Sequence, residues 1–259
     1  MNPLLQPLLW LGAFAVVVMT GVWLLQWRTR NAGYVDVAWA LLLGSTALAF
    51  GWFSQGDVAT RWTVAVLGGL WGFRLGLHLL HRVLREPEDG RYAYLRAHWQ
   101  DRQGKFFGFF MVQALLVVLF ATPMLAAAQN STPLDIPHLV AAVSIWCLAL
   151  AGESIADAQL DAFRRDPQNR GKTCRSGLWR YSRHPNYFFE WLHWFAYVVL
   201  AMGSPLFAWS WIGPVVMLVA LNWLTGIPFV EAQSLRSRGD DYRDYQRTTS
   251  RFIPWIPKP

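Results

Sequence analysis

Eight ionisable side chains stand within or at the mouths of long apolar runs: Asp36, Arg74, His78, Glu153, Asp157, Glu190, His193 and Glu231. A charge at membrane depth is costly, so each is a candidate functional residue unless it can snorkel to a helix end. In a dry site a protonated carboxyl or a hydroxyl stabilises negative charge developing on a carbonyl oxygen. Tyr34, Asp36 and Trp39 open one apolar run, and Trp71, Arg74 and His78 share a helical face at offsets of 3 and 4. Asp36 and Arg74 could equally form a buried structural pair.

A second group lies in the other half of the chain. Glu153, Asp157, Asp161 and Arg164 follow one another at spacings of 4, 4 and 3, which puts them on one face of a helix. Headgroups and water could wet such a stripe, although Glu153 is a full turn deeper than snorkelling needs. The stretch from Arg170 to Glu190 mixes Arg, Lys, Ser and Gly with aromatic residues. That mixture suits a multiply charged phosphate ligand, with guanidinium groups for paired contacts and rings as a platform for a flat base. His184-Pro185-Asn186 begins a helix whose free N–H groups favour an anion, and Asn186 and Glu190 lie one turn apart. Farther on, Tyr242 and Tyr245 alternate with cations, which fits a cover over a cofactor or an amphipathic segment on the membrane surface. Glu88-Asp89-Gly90-Arg91-Tyr92 reads as a solvated turn or as a cap over a site. Cys147 and Cys174 form no C-x-x-C pair or Cys/His cluster, so neither a disulfide framework nor a metal site is expected.

Helices in lipid have to position these groups. Of the 259 residues 54% are apolar or aromatic and 15% charged, against roughly 25% charged in a soluble domain. The apolar residues fall in seven blocks, 4–27, 34–53, 62–81, 106–128, 136–157, 188–203 and 206–229. A spanning helix needs about 20 such residues, so the expected fold is an all-α integral membrane protein with seven transmembrane helices. Seven crossings put every Lys and Arg except Arg61 and Arg74 on one side of the membrane. The positive-inside rule then sets the amino terminus outside and the carboxyl terminus in the cytoplasm. The first block has no basic leader and no small-residue cleavage site before Arg28, so it reads as a span and not as a signal peptide.

On this reading the net charge of +7 is topological, and no nucleic-acid motif accompanies it. A single transmembrane domain over 1–259 is expected, with a substrate-side half at 1–128 and a cofactor-binding half at 129–259. The expected state is a monomer, whose partners are membrane lipids and an apolar small molecule. Asn130-Ser131-Thr132 matches a glycosylation acceptor as a pattern only.

From Gly152 to Pro254, roughly two fifths of the chain, the sequence resembles the carboxy-terminal catalytic half of the steroid 5α-reductases. The matching signs are Glu153 and Asp157, the basic Arg164 and Arg165, Ser176-Gly177-Leu178, Asn186 followed by Glu190, and a tail with Asp-Tyr before Ile-Pro. Arg183-His184-Pro185-Asn186-Tyr187 looks like the wider group that includes membrane sterol reductases. The resemblance implies NADPH bound from the cytoplasmic side and hydride transfer to C5 of a 3-oxo-Δ4 steroid. Carried over by position, Glu153, Asp157, Arg164, Asn186 and Glu190 are cofactor contacts, joined by Lys172, Arg183, Tyr187, Tyr242 and Tyr245. No Rossmann glycine fingerprint occurs, in keeping with a family that binds NADPH between membrane helices.

The chain departs from that family on the substrate side. The Gln-Glu pair of the animal enzymes is missing, and Tyr34-Val35-Asp36 opens the second block instead. Asp36, protonated in an apolar site, and Tyr34 are therefore expected as keto-side donors with Arg74 in support, and Trp39, Trp71 and His78 as substrate contacts. The substrate is a steroid or another enone lipid. The rival reading is an isoprenylcysteine-type membrane methyltransferase using S-adenosylmethionine, which shares the Arg-His-Pro-x-Tyr start. A non-enzymatic lipid-binding scaffold leaves Asp36, Glu153 and Glu190 without a reason. The Pro-Lys-Pro end carries no sorting signal, which favours a bacterial cytoplasmic membrane over the endoplasmic reticulum.

Overall fold

The computed structural model describes residues 4–224 and 226–258, and all its regular elements are helical. Thr225, in the last of the expected apolar blocks, lies outside the described residues. The helices are α1 (Leu5–Thr29), α2 (Tyr34–Phe53), α3 (Val58–Arg85), α4 (Gly90–His98), α5 (Gln103–Ala128), α6 (Ile136–Arg165), α7 (Pro185–His193), α8 (Phe195–Leu200), α9 (Phe207–Ser210), α10 (Ile212–Val219), α11 (Ile227–Arg238) and α12 (Asp240–Thr248). Among the described residues six stretches are long and apolar enough to cross a membrane: α1, α2, α3, α5, α6 and the run Phe207–Arg238. The protein is thus an integral, multi-pass membrane protein whose embedded surface meets lipid. The block expected at 188–203 forms two short helices. At its break the Trp194 N–H donates to the carbonyls of Trp191 and Leu192.

Two compact units divide the chain. The first holds residues 4–139 and 197–213, the second 140–196 and 214–258. In the first, α2 and α3 pack along a seam of glycines. A Cβ on Gly68 would stand 2.5 Å from the Ala47 Cβ, one on Gly72 would stand 2.6 Å from backbone atoms of Gly44, and one on Gly76 would stand 2.6 Å from the Leu41 side chain. These glycines recur every fourth residue, so they share one face, and lipid offers no hydrophobic drive that could replace such close packing. Asp57 caps α3 by accepting the Thr60 N–H at 3.0 Å. Asn130 is 4% exposed and donates to the carbonyls of Leu200 (3.0 Å) and Met202 (2.9 Å). The amide of the glycosylation-like triplet is therefore occupied with closing a turn.

In the second unit, Gly152 on α6 lies against Phe189 of α7, where a Cβ would come within 2.4 Å of the ring. This contact brings the first turn of α7 alongside α6. Pro185 starts α7 at a position where its missing N–H costs nothing. The run Phe207–Arg238 is interrupted by a π-helical turn at Ala220–Leu224 and by Gly226.

The glycine seam predicts a specific sensitivity. Gly72→Leu should destabilise the detergent-solubilised protein by about 1–3 kcal/mol through overpacking. Gly108→Ala, where a Cβ meets nothing within 4 Å, should not. Equal melting temperatures for the two variants would reject the seam as a packing constraint.

Candidate functional site

At one end of the first unit, α4 folds back over the ends of its neighbours. Asp89 caps it by accepting the Arg91 N–H at 2.9 Å and pairs with Arg82 of α3. Tyr92, 4% exposed, turns inward and donates its hydroxyl to Asp36 Oδ1 at 2.7 Å, while Arg91 Nη2 stands 3.4 Å from Oδ2. Burial pushes the Tyr92 phenol well above its ordinary range, with the Asp36 charge acting in the same direction. Burial opposes the Asp89 charge, yet Arg91 and Arg82 outweigh it and hold that carboxyl below its usual range.

Next to this lies a second polar set. Glu88 accepts the Ala32 N–H at 2.8 Å and pairs with Arg96 at 2.7 Å. Arg96 also pairs with Asp101 at 2.7 Å and reaches the fully buried Gln26, which bonds Gln103 at 2.8 Å.

The turn at 88–92 is therefore a cap, and the group it covers is Asp36. Sequence reasoning expected an apolar surround for this carboxylate. A phenol and a guanidinium face it instead, because α4 brings Arg91 and Tyr92 back over the mouth of α2. Neither Tyr34 nor Arg74 bonds to it; Tyr34 is half-buried in the first turn of α2, and Arg74 and His78 are exposed on α3. One turn deeper, Trp39 packs edge-on against Trp71 and Phe120, with centroids 5.9 and 5.4 Å away. The Trp39 Nε1 is buried and has no hydrogen-bond partner among the described residues.

In the second unit, Asn186 Nδ2 donates to Asp157 Oδ1 at 3.1 Å, joining the first turn of α7 to α6. Tyr187 stacks on His184 with centroids 5.6 Å apart and planes within 10°. Glu153 and Glu190 lie one turn farther in on α6 and α7, both half-buried. Arg164, Arg165, Arg170 and Lys172 are exposed, and they pair with no carboxylate among the described residues.

The other expected cofactor residues are built into the framework. Glu231 of α11 accepts from Arg183 Nε (2.8 Å), Gln246 Nε2 (2.9 Å), Tyr242 Oη (3.4 Å) and, in its protonated-Nε2 tautomer, His184 (3.2 Å). Arg183, 9% exposed, spends Nη1 on the carbonyls of Gln246 and Thr249. The Tyr245 hydroxyl donates to the carbonyls of Trp179 and Ser182. Arg175 pairs with Asp241 at 2.9 Å and Asp244 at 2.7 Å. Burial, and then Glu231, pushes the Tyr242 hydroxyl up to about 12. Sequence reasoning marked Glu231 only as an ionisable group in an apolar run and gave it no role. The contacts that give it one come from residues 11 to 48 positions away.

Burial pushes the His184 imidazole below its ordinary 6.5, against the hydrogen bond to Glu231, which acts the other way. The unfolded chain then takes up this proton at a higher pH than the folded one, so protonation favours unfolding. Stability should fall as pH drops below about 6.5, and His184→Gln should flatten that fall between pH 7 and pH 5. Thermal melts of the two proteins across this range check the assignment; parallel curves would overturn it.

The comparisons with known proteins extend over most of this architecture. The family model described as "Protein of unknown function (DUF1295)" matches residues 22–249. The uncharacterized protein C594.04c of Schizosaccharomyces pombe is 26% identical over 266 residues, covering 90% of this chain and 75% of that protein. The probable O-methyltransferase ustE of Ustilaginoidea virens is 28% identical over 96 residues, covering 37% of this chain and 34% of that protein. With a match that runs from the last turns of α1 through α12, the chain belongs to the DUF1295 family.

Proposed function

We propose that this protein is a membrane-embedded reductase that saturates the Δ4 double bond of a 3-oxo-Δ4 steroid, with NADPH giving a hydride to C5 and a proton added at C4. One observation carries the reading. The Asn186–Asp157 pair lies on the α6 face that continues to Arg164, and four cations between 164 and 172 face no carboxylate among the described residues. Uncompensated guanidinium and ammonium groups are what the phosphates of a dinucleotide neutralise. The Asn186 amide and the Glu153 and Glu190 carboxylates suit ribose hydroxyls and a carboxamide, so the donor set fits NADPH. When bound, NADPH supplies the hydride.

The chain's own residues orient and protonate. Arg183, Tyr242 and Tyr245 support the start of α7 through Glu231 and the 179–182 carbonyls; Asn186, Asp157, Arg164, Lys172 and Tyr187 are the direct contacts. On the substrate side Asp36 remains the proposed acid, with Tyr92 as its immediate partner and Tyr34, Arg74, Trp71 and His78 around the apolar ligand. The unpartnered Trp39 N–H calls for an acceptor, and the carbonyl of a greasy enone is one. The proposed topology is seven crossings with the amino terminus outside, α7 and α8 together making a thin sixth crossing. Six crossings would part the basic tail from the basic 164–183 loop, against the positive-inside rule. A bacterial cytoplasmic membrane is the proposed location.

The similarity to a probable O-methyltransferase favours a second reading, the S-adenosylmethionine-dependent methyltransferase. That cofactor has no phosphate and leaves the cations at 164–172 unused.

The test is a mass spectrum of products from purified protein given a 3-oxo-Δ4 steroid with NADPH, beside an apolar thiol carboxylate with S-adenosylmethionine. The expected result is a gain of two hydrogens on the steroid that requires NADPH; a methyl gain in the other reaction would overturn it. Asn186→Ala and Glu190→Ala should weaken NADPH binding about tenfold or more, the scale of a hydrogen bond to a charged group. Asp36→Asn should lower turnover more than cofactor affinity, and full activity would remove Asp36 as the acid.

A further inference from the structure

We propose that the carboxyl-terminal segment Phe252–Ile256 is a lipid-embedded wedge that lays Ile253, Trp255 and Ile256 into the phospholipid bilayer. The proposal depends on the membrane-spanning helices and not on the reductase reading.

Depth is the first argument. Arg251, just after α12, sends Nη2 to the carbonyl of Asn222 at 2.7 Å. Asn222 lies in the π-helical turn at Ala220–Leu224, within the apolar run Phe207–Arg238. Phe252 is buried against Trp191 and Phe188, with centroids 5.7 and 6.1 Å away, and the Trp191 indole donates to the carbonyl of Pro214 in α10 at 3.0 Å. The tail has therefore turned back alongside the span.

Chemistry is the second argument. Past Phe252, Ile253, Trp255 and Ile256 are 56%, 71% and 77% exposed, next to the exposed Tyr181. Their backbone is held in place: the Trp255 N–H donates to the Tyr181 carbonyl at 2.9 Å, the Lys258 N–H to that of Thr248 at 2.8 Å, and Ser182 Oγ to that of Phe252 at 2.8 Å. Water is a poor neighbour for large apolar side chains presented on a fixed backbone, whereas Trp and Tyr favour the membrane interface. Trp223 and Leu224, next to Asn222, are also exposed, so the apolar surface of the span runs on beside the tail. Arg180 and Lys258 are exposed and pair with no carboxylate among the described residues, which complements headgroup phosphates.

The test uses the full chain with Cys147→Ser, in nanodiscs of phosphatidylcholine and phosphatidylglycerol. Ile256→Cys carries an environment-sensitive fluorophore, with Trp255→Cys as a second probe site and Arg243→Cys on α12, 67% exposed, as the reference. Probes at 255 and 256 should emit farther to the blue than at 243. Acyl-chain spin labels should quench them several-fold more strongly than the reference, and aqueous iodide several-fold less. Iodide quenching equal to that at 243 would overturn the proposal. Shielding from both quenchers would also overturn it, assigning the segment to a contact with a second copy.

Discussion

Lipid offers no water to an unpaired peptide group, and the fold is arranged around that constraint. Along the spans the helices satisfy it by themselves. At several places where a helix stops or widens a side chain takes over: Asn130 holds the carbonyls of Leu200 and Met202, Thr132 that of Gly203, and Arg251 that of Asn222 in the π-helical turn. At these places irregular backbone comes with a named donor, brought in from a distant part of the chain.

The charged groups follow a related rule. Taking a carboxylate out of bulk water is tolerable only when donors surround it. Asp36 has Tyr92 and Arg91; Glu231 has donors from Arg183, Gln246, Tyr242 and His184. Both sets join elements far apart in sequence, so each fixes a geometry as well as satisfying a charge. The cations at 164–172 pair with no carboxylate among the described residues, and that contrast separates them from the framework sets.

How much of this was legible beforehand depended on range. Apolar runs of spanning length declared the long helices, and helical offsets put Asp157 and Asn186 on faces that do meet. The block at 188–203 has the composition of a span but forms two short helices, because its break at Trp194 is a matter of backbone turning that composition does not report. The Tyr92–Asp36 bond crosses 56 residues, and the 88–92 turn could be read as solvent-facing until α4 was seen folded back. The seam of Gly68, Gly72 and Gly76 is identified by their distances to α2, and the roles of Arg183, Tyr242 and Tyr245 follow from burial; residue type alone specifies neither.

The glycine seam has a mechanical corollary. With no side-chain cushion between them, α2 and α3 cannot slide or rotate past each other without backbone collision, so they should behave as one stiff plank. The other helices of this unit are joined differently: α1 rests on α5 and is tied to Gln103 and Arg96 through Trp23 and Gln26, and α4 is held chiefly by ion pairs and hydrogen bonds. A change in side-chain size is thus absorbed at those contacts more readily than at the glycine seam, where backbone meets backbone.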